Sequence, residues 1–461
     1  GPNTPALLGL AGRGAKVVIT VDCGIAAFEP LGAAREAGID VIVVDHHVAE
    51  TRLPEAHAVI NPNRLDDASP HKQLAAVGVA FLLAVAVNRE LRARGFYRLR
   101  PEPDLMNLLD LVALGTVCDQ VRLTGVNRAL VAQGLKVLAQ RGNTGLMALA
   151  DVARLDSKPE AWHLGFLLGP RINAGGRVGR AGLGARLLST DDPAEAEAIA
   201  RELDQFNAER REIEAQVLAE ALARAEPIPG DNGGPGLVFV AGEGWHPGVV
   251  GIVASRLNDR LHRPACVAGI ENGRAKGSGR SIPGIDLGAA VIAARQEGLL
   301  IDGGGHAMAA GFTVAADRIG DLKEFLAARI DAQHAERGVE VGRTLYHDGA
   351  ITVGGATTDL ADEIQALAPF GQGNAEPRFV LPAVRVGKAD VVGENHVRLF
   401  VTGPDGKRIK AIAFRVADQP LGRGLLETGA LPLHLAGKLR IDDWQGRRDV
   451  QFLVDDAAPA A

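Results

Sequence analysis

The spacing of hydrophobic positions in the first 120 residues predicts alternating strands and helices. Residues 15–22 (AKVVITVD) and 41–45 (VIVVD) are continuous apolar runs, which are typical of strands buried on both faces of a parallel sheet. Residues 26–38, between these two runs, fit a helix that ends at Gly38. The pattern then predicts, in order, a third strand, an apolar helix and a helix or helix-to-loop element: 56–62, 77–95 and 105–119. We therefore predict an α/β fold with a mostly parallel sheet covered on both faces.

The remainder of the chain predicts a long helix, a second α/β segment and a small barrel. Between Pro193 and Glu226 no further Pro or Gly occurs, and apolar residues recur at spacings of 3 and 4. At a rise of ~1.5 Å per residue this helix would run about 50 Å, enough to bridge two domains. Residues 237–333 are predicted to form the second α/β segment. After residue 340, short alternating strands with turn signals predict an antiparallel barrel, for which the OB type that holds single-stranded nucleic acid is one candidate.

Composition adds three constraints to this picture. The chain is 47% hydrophobic and 23% charged, and no apolar run approaches the ~20 residues of a membrane span. Its formal net charge of −6 means that any nucleic-acid binding must use local basic clusters. The cysteines at 23, 118 and 266 are far apart and lack metal-type spacing, which favours a reducing compartment. The start of the chain has no basic region followed by an apolar core, so we expect a cytoplasmic protein.

Residues of types that commonly bind metals stand at the C-terminal ends of two neighbouring strands of the predicted sheet. Asp22 follows the first strand, and Asp45, His46 and His47 follow the next. Ligands of such sheets bind beyond the carboxyl ends of the strands, so these side chains should meet at one edge, joined by Asp119. Carboxylate and imidazole ligands suit Mn²⁺ or Mg²⁺. The alternative for each residue alone is structural, because an Asp after a strand often caps a helix and a lone His is usually a hydrogen-bonded group.

Four glycine-rich stretches carry groups that could bind phosphate. Residues 168–180 (LGPRINAGGRVGR) predict a flexible basic loop or a plain surface loop. Residues 242–257 (GEGWHPGVVGIVASRL) place a helix start beside His246, for which loop packing is the favoured interpretation. Residues 275–287 offer backbone N–H groups, a hydroxyl and a guanidinium, and residues 302–312 allow close backbone approach. Each of the last two alone is typical of a turn, but together they indicate a phosphate-bearing ligand.

The predicted barrel is preceded by the stretch PFGQGNAEPRF, residues 369–379, and contains clustered basic residues. Lysine and arginine side chains there could follow a nucleic-acid backbone, and aromatic rings could stack on bases. Core packing is the alternative for each ring. The residues concerned are Lys407, Arg408, Lys410, Arg415, Phe370, Phe379 and Trp444.

The order of these motifs resembles the DHH phosphoesterase family, and within it the branch of single-strand-specific DNA exonucleases. The resemblance rests on VITVDCGI, VVDHHV, LDLVALGTVCDQVRL, GPRINAGGRVGR, WHPGVVGIVASRL, KGSGRSI, GGGHAMAAGF and PFGQGNAEP. It implies a 5′-to-3′ exonuclease on single-stranded DNA that uses Mn²⁺ or Mg²⁺ in a two-metal mechanism, in DNA repair and recombination. The implied partners are single-stranded DNA, a single-strand-binding protein and a helicase, with no membrane and a monomeric state.

The resemblance also implies roles for individual residues. Asp22 would bridge two metals, His46 and Asp119 would ligate one of them, and His47 would ligate or contact the scissile phosphate. Asp45 would orient this group. The implied phosphate-binding and cleft residues are Arg171, Asn173, Arg177, Ser278, Arg280 and His306, with the 5′ end held by Ser278 and Arg280.

The resemblance further predicts the domain organisation and one departure from the family. The predicted domains are an N-terminally incomplete catalytic domain, a connecting helix, a smaller substrate-binding domain and an OB-fold domain: 1–190, 191–226, 227–335 and 336–461. The family carries an earlier Asp-x-Asp-x-Asp-Gly strand with further metal ligands, and residues 1–21 contain no aspartate. We therefore expect the printed polypeptide to hold one metal, or to bind DNA without cutting it.

Three other functions stay open on the sequence. One is a DHH phosphodiesterase acting on short oligonucleotides or cyclic dinucleotides, and another is a manganese pyrophosphatase. The barrel and the long helix argue against both, because a substrate of mononucleotide size needs neither. The third is a non-catalytic scaffold that binds single strands. The missing aspartate strand favours it for this polypeptide, whereas the full protein's set of Asp22, His46, His47 and Asp119 argues against it.

Overall fold

A computed structural model describes most of the chain, namely residues 1–225, 236–337, 344–427, 429, 431–442 and 448–460. The predicted loop at 226–235 and the candidate stacking residue Trp444 lie outside these described residues. Two compact units are present: the first is Gly1–Gly142, Ser157–Phe166 and Leu345–Ala461, and the second is Asn143–Asp156 and Leu167–Thr344. The domain limits at 190, 226 and 335 stay predictions.

The first part of the chain forms a parallel sheet with helices. Its elements are α1 (Thr4–Gly12), β1 (Val17–Val21), α2 (Phe28–Glu36), β2 (Asp40–Val44), β3 (Ala58–Ile60), α3 (Ala76–Ala93), α4 (Leu109–Cys118) and α5 (Gly125–Ala139), with 3₁₀ turns at Phe96–Arg98 and Leu105–Leu108. The strand order is β1-β2-β3, and both pairings are parallel. The predicted α/β fold with a parallel sheet is confirmed.

Strand β1 is less buried than its sequence predicts. Val17, Ile19 and Val21 are 56%, 54% and 55% exposed, and among the described strands β1 pairs with β2 alone. In β2, by contrast, Val41 and Val43 are buried in the core. The prediction that 15–22 is buried on both faces was therefore wrong, since an unbroken apolar run does not reveal whether each face of a strand is covered.

A group of helices follows: α6 (Thr144–Val152), α7 (Ala161–His163), α8 (Gly169–Val178), α9 (Leu183–Ser189) and α10 (Pro193–Arg224), with a π-helical segment at Leu164–Leu168. The predicted flexible loop at 168–180 was wrong, because most of it is α8. A Cβ on Gly175 would lie 3.0 Å from Leu203 Cδ2 of α10, so this glycine permits close packing of two helices. Gly175, one of the glycines that favoured a loop, thus serves helix packing.

Helix α10 confirms the predicted long helix. Asp192 accepts a hydrogen bond from the Ala194 N–H at 2.9 Å, and Pro193 stands in the first turn. Buried Ile199, Leu203 and Val217 repeat along one side. The helix packs against α6, α8 and α9 within the second unit.

The second unit also holds a mixed sheet. Its elements are β4 (Val238–Glu243), α11 (Pro247–Leu261), β5 (Ala265–Glu271), β6 (Arg274–Arg280), α12 (Leu287–Gln296), β7 (Asp302–His306), β8 (Ala309–Ala315) and α13 (Ile319–Arg337). The strand order is β4-β5-β6-β8-β7, in which β4 and β5 are parallel and the other pairs antiparallel. The predicted second α/β segment is confirmed.

The C-terminal part of the chain is a closed barrel. Its elements are β9 (Gly349–Ala350), α14 (Thr358–Ala366), β10 (Phe379–Val392), β11 (His396–Thr402), β12 (Arg408–Ala413), α15 (Pro420–Glu427), β13 (Leu433–Asp442) and β14 (Asp449–Pro459). Pairing runs β10–β11–β12–β14–β13 and returns to β10, with β12 and β14 parallel. Leu399, Leu435 and Phe452 are fully buried inside. The predicted OB-type barrel is confirmed.

None of the described helices is long and apolar enough to cross a membrane.

Candidate metal centre and phosphate site

A tight turn after β1 carries Asp22 to the end of β2. Asp22 has a left-handed backbone with φ of 61°, and its N–H donates to the Val44 carbonyl at 2.9 Å. Gly24 follows with φ of 121°, and a Cβ there would lie 2.8 Å from Thr20 Oγ1. Only glycine therefore lets this turn fold back onto the sheet, which leaves the Asp22 carboxylate at the sheet edge.

Asp45 organises the neighbouring loop from a buried position. Its side chain is 1% exposed; Oδ2 accepts from the Ile25 N–H at 3.0 Å, and Oδ1 accepts from His47 Nδ1 at 2.6 Å and from the His46 and His47 N–H groups. Burial alone would raise the pKa of this carboxyl, but the hydrogen bonds from His47 and the backbone N–H groups outweigh burial and lower it. Both oxygens are used within the protein, so Asp45 orients His47 and is not placed to ligate a metal.

His46 presents a lone pair to two carboxylates. Its Nδ1 lies 3.1 Å from the Leu74 carbonyl, which can only accept, so the tautomer assigned to the neutral ring has its proton on Nδ1. Nε2 lies 3.2 Å from Asp22 Oδ1 and 3.4 Å from Asp119 Oδ2, and neither contact has hydrogen-bond geometry. The Nε2 atom is buried, although 13% of the side chain is exposed. A buried lone pair beside two carboxylates is unfavourable unless a cation lies among them.

The donor set fits a divalent cation. One ligand atom from each of Asp22, His46 and His47 lies within 4.8 Å of the others. Because His47 uses Nδ1 to bond Asp45, its Nε2 is the nitrogen left for a ligand. Burial raises the pKa of Asp119; His46 opposes this shift and Asp22 reinforces it. Carboxylate oxygens and imidazole nitrogens are ligands that Mn²⁺ accepts.

A cleft of about 260 Å³ adjoins this cluster. Asp22 and Asp119 line it together with small or β-branched side chains from the end of β1, from α3 and the residue before it, and from α4. These further lining residues are Val21, Ala75, Ala76, Val77, Ala80 and Gly115. The short side chains leave room beside the carboxylates for a ligand.

In the second unit, Arg177, Ser278 and Arg280 form a cationic site. Arg280 Nη1 donates to Ser278 Oγ and to the Gly279 carbonyl, both at 2.9 Å. Burial lowers the pKa of Arg280, and the nearby positive charge of Arg177 lowers it further. In the described part of the chain neither arginine has a carboxylate partner. Two neighbouring guanidinium groups without a counter-charge favour an anion.

Glycine leaves space for an anion beside this pair. A Cβ on Gly251, in the first turns of α11, would lie 3.2 Å from Ser278 Oγ and 3.4 Å from Arg280 Nη2. His246 caps the same helix, since its Nδ1 accepts from the Gly248 N–H at 3.0 Å. The structure thus gives His246 a helix-capping role, and Gly251 leaves the open space beside Ser278 and Arg280.

The other predicted phosphate residues have different surroundings. Arg171 donates from Nε to Asp204 at 2.8 Å and from Nη1 to the Leu167 carbonyl at 2.7 Å, so it fastens α8 to α10. These bonds give Arg171 a structural role, and its predicted contact with phosphate stays a prediction. Asn173 is exposed on α8 and His306 is exposed at the end of β7, and their predicted roles stay predictions.

The candidate nucleic-acid-binding residues of the barrel also divide into exposed side chains and side chains with structural partners. Lys410 is paired with Asp442 at 2.6 Å, whereas Lys407, Arg408 and Arg415 are exposed. Phe370 and Phe379 pack against the barrel core, as the alternative interpretation of these rings predicted.

Three asparagines beside the metal cluster were missed at the level of sequence. They are Asn61, Asn63 and Asn127, whose side chains donate to backbone carbonyls of the segments that carry the candidate ligands. The stretch INPN, directly after β3, was the available signal for two of them, since β3 ends beside the Asp-His-His strand.

Family comparisons agree with this fold. Residues 2–116 match the DHH family N-terminal domain, residues 232–332 match the DHHA1 domain, and residues 347–456 match the RecJ OB domain. The single-stranded-DNA-specific exonucleases RecJ of Dickeya dadantii (strain 3937) and Escherichia coli (strain K12) are 39% and 38% identical to this chain. These alignments cover 97% of this chain and 78% of each relative.

Solved structures of RecJ exonucleases are also similar to this chain. The crystal structure of RecJ in complex with Mn²⁺ from Thermus thermophilus superimposes with a TM-score of 0.82 at 30% identity. That match covers 99% of this chain and 63% of the Thermus chain. A crystal structure of exonuclease RecJ bound to manganese matches with a TM-score of 0.59 at 35% identity, over 71% of this chain and 78% of that one.

Fold and matches together define a DHH domain joined to a DHHA1 domain and an OB barrel. The chain belongs to the RecJ family.

Proposed function

We propose that this protein is a single-stranded-DNA-specific 5′-to-3′ exonuclease that hydrolyses phosphodiester bonds with Mn²⁺ or Mg²⁺. The observation that carries the proposal is His46 Nε2, buried and facing the carboxylates of Asp22 and Asp119. The relatives are single-stranded-DNA-specific exonucleases RecJ, which supports the substrate and the reaction. The proposal includes a role in DNA repair and recombination. It also places the protein in the cytoplasm, because the free cysteines at 23, 118 and 266 suit a reducing compartment.

Asp22, His46, His47 and Asp119 would hold the metal. When bound, the metal supplies an activated water and stabilises charge that develops on the phosphate and the leaving oxygen. Asp45 keeps His47 in the tautomer whose Nε2 is available, and the Leu74 carbonyl does the same for His46. These bonds at Nδ1 leave Nε2 of both histidines available to a metal.

Arg177, Ser278 and Arg280 would bind a terminal phosphate. Guanidinium groups and a hydroxyl suit phosphate oxygens, and Arg280 is already fixed by its bonds to Ser278 and Gly279. Asn173 and His306 are exposed and are proposed as further contacts. Recognition of a 5′ phosphate would then account for the direction of digestion.

The OB barrel supports a polymeric substrate over a mononucleotide. Barrels of this type bind single strands along one face. Lys407, Arg408 and Arg415 are exposed on this barrel, and we propose them as contacts to the nucleic-acid backbone. We also propose that the protein acts as a monomer. Its proposed partners are a helicase and a single-strand-binding protein, because these would generate and present single strands.

The proposal is tested by metal reconstitution. The protein, with any residues that its gene encodes ahead of Gly1, is stripped with chelator and assayed on 5′-phosphorylated single-stranded DNA. We expect no nucleotide release without metal, release with Mn²⁺ or Mg²⁺, and loss of release in His46→Ala. Equal release in chelator would contradict the metal assignment.

Asp40→Ala is the matched control, because Asp40 is an exposed carboxylate at the start of β2. It should digest DNA at the rate of the unmodified protein. Loss of activity in this variant as well would mean that the His46→Ala result does not report on the metal cluster.

A further inference from the structure

Three consecutive backbone carbonyls lie beside the candidate metal centre, and each accepts a hydrogen bond from a different side chain. The Lys72 carbonyl accepts from Asn63 Nδ2 at 3.0 Å, the Gln73 carbonyl from Asn127 Nδ2 at 2.5 Å, and the Leu74 carbonyl from His46 Nδ1 at 3.1 Å. We call residues 72–74 the bracket. Its last carbonyl fixes the tautomer of His46, so its position sets where His46 Nε2 points.

Asn63 ties the bracket to the Asp-His-His strand. The same Nδ2 that donates to Lys72 also donates to the His46 carbonyl at 2.5 Å. Asn61 supports this arrangement, since its Oδ1 accepts from the Asn63 N–H at 2.7 Å and its Nδ2 donates to the His47 carbonyl at 2.9 Å. Both ends of His46, its backbone and its ring, are thus fastened to one short segment.

Asn127 ties the bracket to the segment that follows Asp119. Its Nδ2 donates to the Gln73 carbonyl and also to the Arg122 carbonyl at 3.0 Å. The side chain is fully buried, and its Oδ1 has no partner among the described residues. An amide turned the other way would place oxygen against two carbonyls, so the donor orientation is fixed.

The turn after Asp119 is held from a second side as well. The Leu123 N–H donates to the Gln372 carbonyl at 2.6 Å, within the same compact unit. Arg122 and Leu123 are therefore anchored by a buried amide and by the loop that precedes the barrel. Asp119 lies three residues before this anchored pair, at the C-terminal end of α4.

We propose that Asn63 and Asn127 are positioning residues that set the spacing of His46 and Asp119 for metal binding. The inference rests on the proposed function, because it assumes that this cluster holds a divalent cation. Neither asparagine is placed to touch the metal or DNA; both act through the bracket. Removing either amide would let a ligand-bearing segment drift, and the expected effect is on metal affinity more than on folding.

The test is a Mn²⁺ titration followed by electron paramagnetic resonance of free Mn²⁺, with the melting temperature of each metal-free variant measured alongside. We expect Asn63→Ala and Asn127→Ala to bind Mn²⁺ about 10- to 100-fold more weakly at temperatures where both are folded. Saturating Mn²⁺ should restore their DNA cleavage. Asn127→Asp, which keeps the size but replaces the donors with an acceptor, should be at least as impaired.

Asn258→Ala is the matched control. Asn258 also donates its side-chain amide to a backbone carbonyl, that of Arg263 at 2.8 Å, in the second unit at the C-terminal part of α11. It should bind Mn²⁺ as the unmodified protein does. Mn²⁺ affinity as strong in Asn63→Ala and Asn127→Ala as in this control would overturn the inference.

Failure of the proposed function has a different signature. In that case the unmodified protein would bind Mn²⁺ no better than Asp22→Ala, whatever the asparagines do. If Asn127→Ala does not fold, the less buried Asn63 carries the test, and unchanged affinity in Asn63→Ala overturns the inference by itself.

Discussion

The metal cluster and the arginine site are built in opposite ways, although each leaves charge without a partner. In the cluster, Asp22 and Asp119 face a histidine nitrogen that carries a lone pair, so negative charge is in excess. In the second unit, Arg177 and Arg280 are neighbours without a carboxylate in the described part of the chain, so positive charge is in excess. One site calls for a cation and the other for an anion.

The two sites also differ in what holds them in place. The histidines are held through their Nδ1 atoms by Asp45 and the Leu74 carbonyl. Three asparagines hold the backbone around them. Arg280 is held by its own strand, through Ser278 and the Gly279 carbonyl. A metal requires several ligands at set distances, whereas a guanidinium binds phosphate over a broader range of positions. We therefore expect larger losses from changes in the metal cluster.

Removing a candidate metal ligand should have the largest effect. Asp22→Ala or His46→Ala should lower the rate of DNA cleavage by about three orders of magnitude, because metal coordination contributes several kcal/mol of charge stabilisation. The measurement is single-turnover release of nucleotides from single-stranded DNA in saturating Mn²⁺. Full activity in either variant would remove the cluster from the mechanism.

Changing Asp45, which orients His47, should have a smaller effect than removing a metal ligand. Asp45→Asn keeps the shape but weakens the acceptor for His47 Nδ1, and we expect Mn²⁺ affinity to fall by about 10- to 100-fold. Calorimetric titration of Mn²⁺ checks this. A loss as large as that of Asp22→Ala would show instead that Asp45 ligates the metal directly.

In the arginine site, Arg280→Ala should reduce the preference for a 5′ phosphate by about 10-fold, as expected for one charge-assisted hydrogen bond. The rates on phosphorylated and unphosphorylated single strands are compared at several salt concentrations. The variant should also show a weaker salt dependence of binding, with a slope lower by about 1. An unchanged ratio of the two rates would mean that the phosphate is held elsewhere.

Arg171→Ala sharpens this prediction. Arg171 is paired with Asp204, so its removal should lower the melting temperature without changing the phosphorylated-to-unphosphorylated ratio. A changed ratio with unchanged stability would instead support the phosphate contact that the sequence predicted.

The smallest effect concerns two thiols, one beside each site. Burial raises the pKa of Cys118, next to Asp119, to about 11, and burial raises the pKa of Cys266, which borders Gly279, to about 12. At pH 8 the thiolate fraction of Cys118 is then about one in a thousand, so both should resist iodoacetamide. Labelling should rise with pH and with unfolding, which mass spectrometry of labelled peptides can follow. Rapid labelling of Cys118 or Cys266 in the folded protein at pH 8 would contradict the burial.

Local sequence predicted the elements well, and long-range contacts explain where it did not. The strands ending at Val21 and Val44, the helix from Pro193 and the closed barrel all follow from periodicity and turn residues. The exposed face of β1 could not be predicted, because burial depends on what else covers the strand. Helix α8 was missed because Gly175 reads as a loop residue until Leu203 of α10 is known to pack against it.

The same limit applies to the candidate site. Residue type and strand ends indicated Asp22, His46 and His47, since chemistry and position coincide there. The sequence did not reveal that Arg171 is paired with Asp204, or that Asn127 joins residues 73 and 122. Such pairings span tens of residues and depend on packing, which the spacing of residue types does not encode.

One measurement tests the central claim most directly. A single-stranded oligonucleotide carrying a 5′-terminal label is incubated with Mn²⁺ and the protein, including any residues that its gene encodes ahead of Gly1. The same oligonucleotide in a duplex is treated alongside, and product length is followed over time. The proposal predicts that labelled mononucleotide appears first, from the single strand alone, and not with His46→Ala. Label that stays on gradually shortening strands, equal digestion of the duplex, or an intact single strand in a protein that binds Mn²⁺ would contradict it.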